Sequence, residues 1–149
     1  MEHNEHRDYP YLPEDAGEYA EELMDILNRI PDGWGRWLSL GKGWYPLVIE
    51  INHKLRFMYP DYEIHQVKEK YGTLRYYYGF PHDPDKEKVN PMIGDIMDDI
   101  ITAAEQISTY TCETCGGRGR TRMHNYWYKT LCKYCANEQG YPLEDWEMI

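Results

Sequence analysis

A chain of 149 residues with 42% apolar residues and a net charge of −10 has the length of one domain and enough apolar material for a core. It has no run of about 18 apolar residues, and its first residues, MEHNEHRDYPYLPED, are neither basic nor apolar, so neither a membrane span nor a secretory leader is expected and the predicted setting is intracellular. Two rings are Phe against fifteen Tyr and five Trp, so most aromatics carry a polar tip suited to half-buried surfaces and interfaces.

Residues 1–13, with Pro10 and Pro13, read as a mobile tail or a surface strap, in which His3 and His6 are solvated imidazoles rather than metal ligands. Residues 14–110 read as a scaffold. From Glu14 to Ile30, the apolar residues Tyr19, Leu23, Ile26, Leu27 and Ile30 recur at helical spacing, and Pro31 and Gly33 end the pattern. The stretch PDGWGRWLSLGKGW is too irregular for a regular element. It predicts an ordered loop whose Trp34, Trp37 and Trp44 cap the core, with a ligand platform as the alternative.

A second helix is expected from Tyr45 and Pro46 to Met58, stopped by Pro60, with Leu47, Val48, Ile51, Leu55 and Met58 inward. His53 and Glu50, three residues apart, are within reach of each other on its polar side. The stretch DYEIHQVKEKYGTLRYYYGF then predicts two antiparallel strands, 62–69 and 73–80, turning at Lys70, Tyr71 and Gly72. Its Lys68, Lys70 and Arg75 among tyrosines resemble a small nucleic-acid platform, but three cations make a thin electrostatic footprint. After the loop PHDPDKEKVN, Asn90 caps and Pro91 opens the strongest helical pattern, Ile93, Ile96, Met97, Ile100, Ile101, Ala104 and Ile107. Ile100 is expected inward, with Asp95, Asp98 and Asp99 on the outer face.

That helix leads into residues 111–149, which carry all four cysteines as two Cys-x-x-Cys pairs, Cys112 with Cys115 and Cys132 with Cys135. Two such turns place four soft sulfurs at the corners of one tetrahedron, so the pattern predicts one structural Zn2+ in a zinc-ribbon or zinc-knuckle-like module followed by a C-terminal strap. Gly116, Gly117 and Gly119 are expected to fold the backbone round the metal through left-handed conformations. The whole chain therefore reads as α+β, with three main helices, a small antiparallel sheet and the metal module. Residues 111–137 hold five cations, Arg118, Arg120, Arg122, Lys129 and Lys133, against one acid, Glu113. The first four of these, with Tyr126, Trp127 and Tyr128, are the candidate interaction residues.

The run Val67 to Tyr77, the helix end Ala104 to Ser108 and the Cys112-Glu113-x-Cys115-Gly116 turn together resemble small, largely uncharacterised proteins encoded by bacteriophages and prophages. The resemblance spans roughly Tyr45 to Ala136 and implies a bacterial cytoplasmic setting and a zinc module. Cys112-x-x-Cys115-x-Gly117-x-Gly119 is also similar to one arm of the zinc repeat of DnaJ-type chaperones, a pattern from which the second pair departs.

Three functions follow as expectations. The first is an acidic, zinc-stabilised module that docks on a protein, as an inhibitor of a host defence or nucleic-acid-processing protein. The second is nucleic-acid binding through the basic, aromatic metal module, opposed by the acidic scaffold. The third is an enzyme, for which the sequence offers no phosphate loop, nucleophile elbow or His-Glu-x-x-His, and no open position on a four-sulfur metal.

Overall fold

The computed structural model describes residues 9–82 and 88–148. His3 and His6, and the middle of the loop between the second strand and the third helix, lie outside these. The described residues form an α+β fold of four helices and two antiparallel hairpins. The helices are α1 (Ala20–Asn28), α2 (Tyr45–Met58), α3 (Pro91–Ser108) and the short α4 (Lys133–Glu138). The hairpins are β1 (Glu63–Lys70) with β2 (Thr73–Gly79), and β3 (Arg120–His124) with β4 (Trp127–Leu131). The second hairpin and α4 both belong to the metal module and add to the single sheet and three helices expected.

The helix predicted from Glu14 starts only at Ala20. Gly17 adopts φ +51°, a left-handed conformation that ends one turn of chain and begins a 3-10 turn, Gly17–Tyr19, before α1. Before it, Tyr11 N–H donates to the Arg36 carbonyl at 2.8 Å and Leu12 packs on the core, so this part of the N-terminal segment lies as a strap.

Helix α2 has the predicted bounds, because Pro46 suits a first turn and Tyr59, which precedes Pro60, is driven to an extended φ of −149°. Asn90 caps α3 by accepting from Met92 N–H at 2.9 Å. Its inward line is Met97, Ile101, Ala104 and Ser108. Ile100 is only partly buried, and Ile96 and Ile107 are 40% and 38% exposed. The apolar stripe of α3 is wider than the surface it covers, and the helix is rotated by about one residue from the expected orientation. Asp95, Asp98 and Asp99 are exposed as expected, and Asp98 accepts from the Tyr78 hydroxyl at 2.8 Å.

In the first hairpin Leu74 and Tyr76 face the core, as alternation requires, but β1 breaks its alternation: Ile64 and Val67 are both fully buried. A bulge at His65 makes this possible, since Ile64 pairs with Tyr78 and Gln66 with Tyr77. Both edges of the hairpin are covered. Ser39 bridges to β1 through Val67 and Glu69, and α3 caps β2 with side chains, Ser108 Oγ accepting from Leu74 N–H and Glu105 from Tyr76 N–H. The Tyr62 hydroxyl bonds the buried Asn52 and Tyr76 side chains, which satisfies the polar tips the core takes in.

Two other expectations change. Trp44 is fully buried, but Trp34 and Trp37 are 55% and 51% exposed, so only one of the three indoles caps the core. His53 reaches Glu22 on α1 at 2.6 Å instead of Glu50, which pairs with Lys54 along its own helix. Among the described residues no helix is long and apolar enough to cross a membrane.

Candidate metal centre

Helix α3 ends at Ser108, and four residues later Cys112 opens a tight turn. Gly116 N–H donates to the Cys112 carbonyl at 2.9 Å with Gly116 at φ +83°, and Cys112 N–H donates to the Gly117 carbonyl at 2.7 Å. Only Gly116 of the three glycines is left-handed. Gly119 is needed for room instead, because a Cβ there would lie 3.1 Å from Cys112 Cα and 3.0 Å from the Leu131 carbonyl carbon. The β3–β4 hairpin returns the chain to Cys132, which is the N-cap of α4 and accepts from Cys135 N–H at 3.4 Å.

These two turns bring the four sulfurs within 4.8 Å of one another, with Cys115 Sγ to Cys132 Sγ at 3.7 Å. A tetrahedral ion with metal–sulfur bonds of about 2.3 Å requires sulfur–sulfur edges of about 3.8 Å. The cluster is therefore sized for one structural metal ion. Backbone N–H groups already point at the sulfurs, from Cys115 to Cys112, Gly117 to Cys115 and Cys135 to Cys132. Burial raises the Cys112 thiol, but the N–H donors of Cys115, Cys132 and Thr114 outweigh it and bring it down to about 7. Burial and the neighbouring thiols push Cys135 up, so a cation is needed before the whole set ionises. His124 lies against Tyr141, outside the sulfur cluster.

The scaffold grips this centre by its backbone. Gly43 N–H donates to the Glu113 carbonyl at 2.7 Å, Gly41 N–H to the Glu113 carboxylate at 2.9 Å, and the buried Trp44 indole to the Thr111 carbonyl at 2.8 Å. A Cβ at Gly43 would stand 2.1 Å from the Cys112 carbonyl oxygen. From the other side, Thr130 Oγ1 donates to the Gly72 carbonyl at 2.6 Å, and Tyr71 meets Tyr128 edge to face. The GKGW loop and the Tyr71–Gly72 turn thus dock on the metal module, a role that nothing in their local sequence announces.

The candidate interaction residues divide. Arg118 is exposed. Arg120 stacks over Trp146 at 5.3 Å and stands 3.9 Å from Glu144. Arg122 is not a surface cation: it is buried, with two bonds to Glu147 at 2.7 and 2.6 Å and a third to the Leu131 carbonyl. It clamps the C-terminal strap, Tyr141 to Met148, onto β3. The partner Glu147 lies 25 residues beyond Arg122, out of reach of local pattern reading, and sequence reasoning missed it, as it missed Trp146. Lys129 is half-buried beside Glu113. Tyr126, Trp127 and Tyr128 occupy the hairpin tip, 91%, 74% and 42% exposed.

No family model, curated protein or solved structure matches the chain.

Proposed function

We propose that this chain is a protein-docking module of a phage or prophage, acting in the bacterial cytoplasm on a host protein that it inhibits. One structural Zn2+ sits on Cys112, Cys115, Cys132 and Cys135, and the aromatic surface at the two hairpin tips makes the contact. Four sulfurs close the coordination sphere of zinc and leave no position for a substrate, which favours a structural ion over a catalytic one.

The observation that carries the reading is Tyr126. It sits at φ +68°, beside Asn125 at +50°, in a two-residue hairpin turn where glycine is the unstrained choice, and its ring is 91% exposed. A left-handed Tyr costs the fold about 1 kcal/mol and buries almost nothing in return. Such strain at an exposed aromatic is what a recognition residue requires, since Tyr and Trp are the common anchors of protein interfaces. Tyr71, also left-handed at φ +54° and 67% exposed, extends the same surface through its contact with Tyr128. Nucleic-acid binding ranks second because Arg122 is tied to Glu147, Arg120 has Glu144 nearby, and the scaffold is acidic.

The test is capture from host lysate by the zinc-loaded full chain, with and without nuclease, comparing wild type with a Tyr126→Gly, Trp127→Ala variant. A host protein retained in equal amount after nuclease, and lost by the variant at unchanged zinc content and thermal midpoint, is the expected result. Retention that disappears with nuclease moves the nucleic-acid reading to first place. Equal retention by the variant removes the hairpin tip from the interface.

A further inference from the structure

Helix α3 has two apolar faces. One is the inward line Met97, Ile101, Ala104 and Ser108. The other is the row Ile93, Ile96, Ile100, Ala103 and Ile107, whose steps of 3, 4, 3 and 4 residues are those between the a and d positions of a heptad. An apolar period of this kind keeps a seam turned toward a second helix along its length. Ile93 and Ile100 are partly buried, but Ile96, Ala103 and Ile107 are exposed. Beside the row, α2 supplies Leu47, Ile51 and the Glu50 and Lys54 side chains, and the two helices leave a groove of about 60 Å3 between them. That is far below the roughly 300–1,000 Å3 of clefts that take small molecules, and it suits the end of one apolar side chain.

The border of the groove is acidic. Helix α3 carries Asp95, Asp98, Asp99 and Glu105 and neither lysine nor arginine. Asp98 and Glu105 serve β2, accepting from the Tyr78 hydroxyl and the Tyr76 N–H. Asp99 lies three residues after Ile96 and four before Ala103, one turn from each, and Asp95 lies one turn before Asp99. Both are exposed, so they line the outer side of the apolar row. On the α2 side, Lys54 is held by Glu50 at 2.9 Å, and the pair adds no net charge.

We propose that the α2–α3 groove docks a basic amphipathic helix of a partner protein, its apolar residues at heptad spacing against the isoleucine row and its lysines or arginines beside Asp95 and Asp99. The inference goes beyond the docking at the hairpin tip, since none of these residues belongs to that surface. The period of the row selects a helix as the occupant, laid along the groove as apolar anchors one turn apart. Charge selects which helix. A second copy of this chain would bring an α3 with the same four acids and no base, in a molecule of net charge −10, so like charges would meet along the seam. A partner helix with cations flanking its apolar stripe meets the acidic border with opposite charge and is drawn in by the field of the whole scaffold.

The experiment is fluorescence anisotropy of a labelled synthetic helix titrated with the zinc-loaded full chain. The probe is a peptide of about 18 residues, the length of α3, with leucine at a and d and lysine at e and g. One control peptide has glutamate in place of lysine, and the other has a central proline that breaks the helix. The lysine peptide is expected to bind at least about tenfold more tightly than either control, and its advantage over the glutamate peptide should shrink as salt is raised. Ile96→Ser with Ile107→Ser, at exposed positions, should weaken it by about tenfold or more at unchanged zinc content and thermal midpoint. Ala103→Lys fills the groove at another exposed position without touching the core and should weaken it as much, which keeps the test open if the serine variant folds poorly. Asp95→Asn with Asp99→Asn should cost about threefold for the lysine peptide. The Tyr126→Gly, Trp127→Ala variant should bind it as wild type does, so a failure at the hairpin tip and a failure here are told apart. Either control peptide binding as tightly as the lysine peptide, indifference to both groove variants, or loss of binding in the hairpin-tip variant would overturn the proposal. A dimer of the chain alone in sedimentation velocity, dispersed by Ile96→Ser with Ile107→Ser, would overturn it in favour of a second copy.

Discussion

Arg122 is the last of three alternating arginines, after Arg118 and Arg120, and stands at the middle of β3; in the sequence the three look alike. Folding separates them: Arg122 takes both oxygens of Glu147, and the pair is almost wholly removed from water, at 4% and 5% side-chain exposure. Removing one member of a buried pair strands the other charge, so Glu147→Gln or Arg122→Met is expected to cost about 3–5 kcal/mol, whereas the joint replacement Arg122→Met, Glu147→Leu should recover most of it. Urea denaturation of the three variants checks this, and a double variant as weak as the singles would refute it. The pair also has a pH signature. The Arg122 bonds, against the opposing effect of burial, bring the Glu147 carboxyl down to about 2, below the ordinary value of about 4.3. A carboxylate lowered on folding contributes fully above its unfolded value and loses that contribution as pH falls toward the folded one. The stability gap between wild type and Glu147→Gln should therefore be flat from pH 8 to about pH 5 and shrink below about pH 4.3. A gap that shrinks between pH 8 and 6 would assign the effect to another group.

At the scale of elements, the close approach of Gly43 to the Cys112 turn gives the sharpest expectation. Gly43→Ala sets a methyl against a backbone oxygen that the metal ligand itself carries, and it should cost about 1–3 kcal/mol and weaken metal retention against a chelator. Lys42→Ala, at an exposed position one residue away, should do neither. Ile101→Asp should likewise be severe and Asp99→Lys mild, because Ile101 is 7% exposed and Asp99 is on the water side. Equal thermal midpoints for those two variants would contradict the observed rotation of α3. These cases also mark what the sequence makes legible. Pro46, Pro60 and the Asn90-Pro91 cap punctuate α2 and α3 through local sterics, and Cys-x-x-Cys spacing places two ligands within one turn, so helix bounds and sulfurs can be read along the chain. The His65 bulge, the Ser108 cap on β2, the Gly43–Cys112 contact and the Arg122–Glu147 clamp join residues far apart in sequence or break a period. No local pattern encodes them.

At the scale of the molecule, the described residues form two apolar clusters joined by a polar seam. The larger draws on α1, α2, α3 and the first hairpin and contains none of the metal ligands, while the smaller gathers Cys112, Leu131 and Ala136 with Tyr141 and Leu143. The seam consists of the Gly41, Gly43 and Trp44 donors to Thr111 and Glu113 and the Thr130 bond to Gly72. A structural zinc site contributes on the order of 10 kcal/mol or more to folding its own peptide, whereas a cluster as small as the second one supplies far less. Removing the metal should thus unfold β3, β4 and α4 but leave the larger core, which has its own buried residues, in place. Cys115→Ser should act in the same direction. Hydrogen exchange before and after chelation tests this residue by residue. Protection should vanish in β3 and β4 and, across the seam, at the Gly41 and Gly43 amides and the Trp44 indole, because their acceptors belong to the metal turn. It should persist at Val67, Leu74 and the centre of α2. Loss at all of these would make the two clusters one cooperative unit, and retained protection in β3 and β4 would mean that the strap clamp rather than the metal holds the module together.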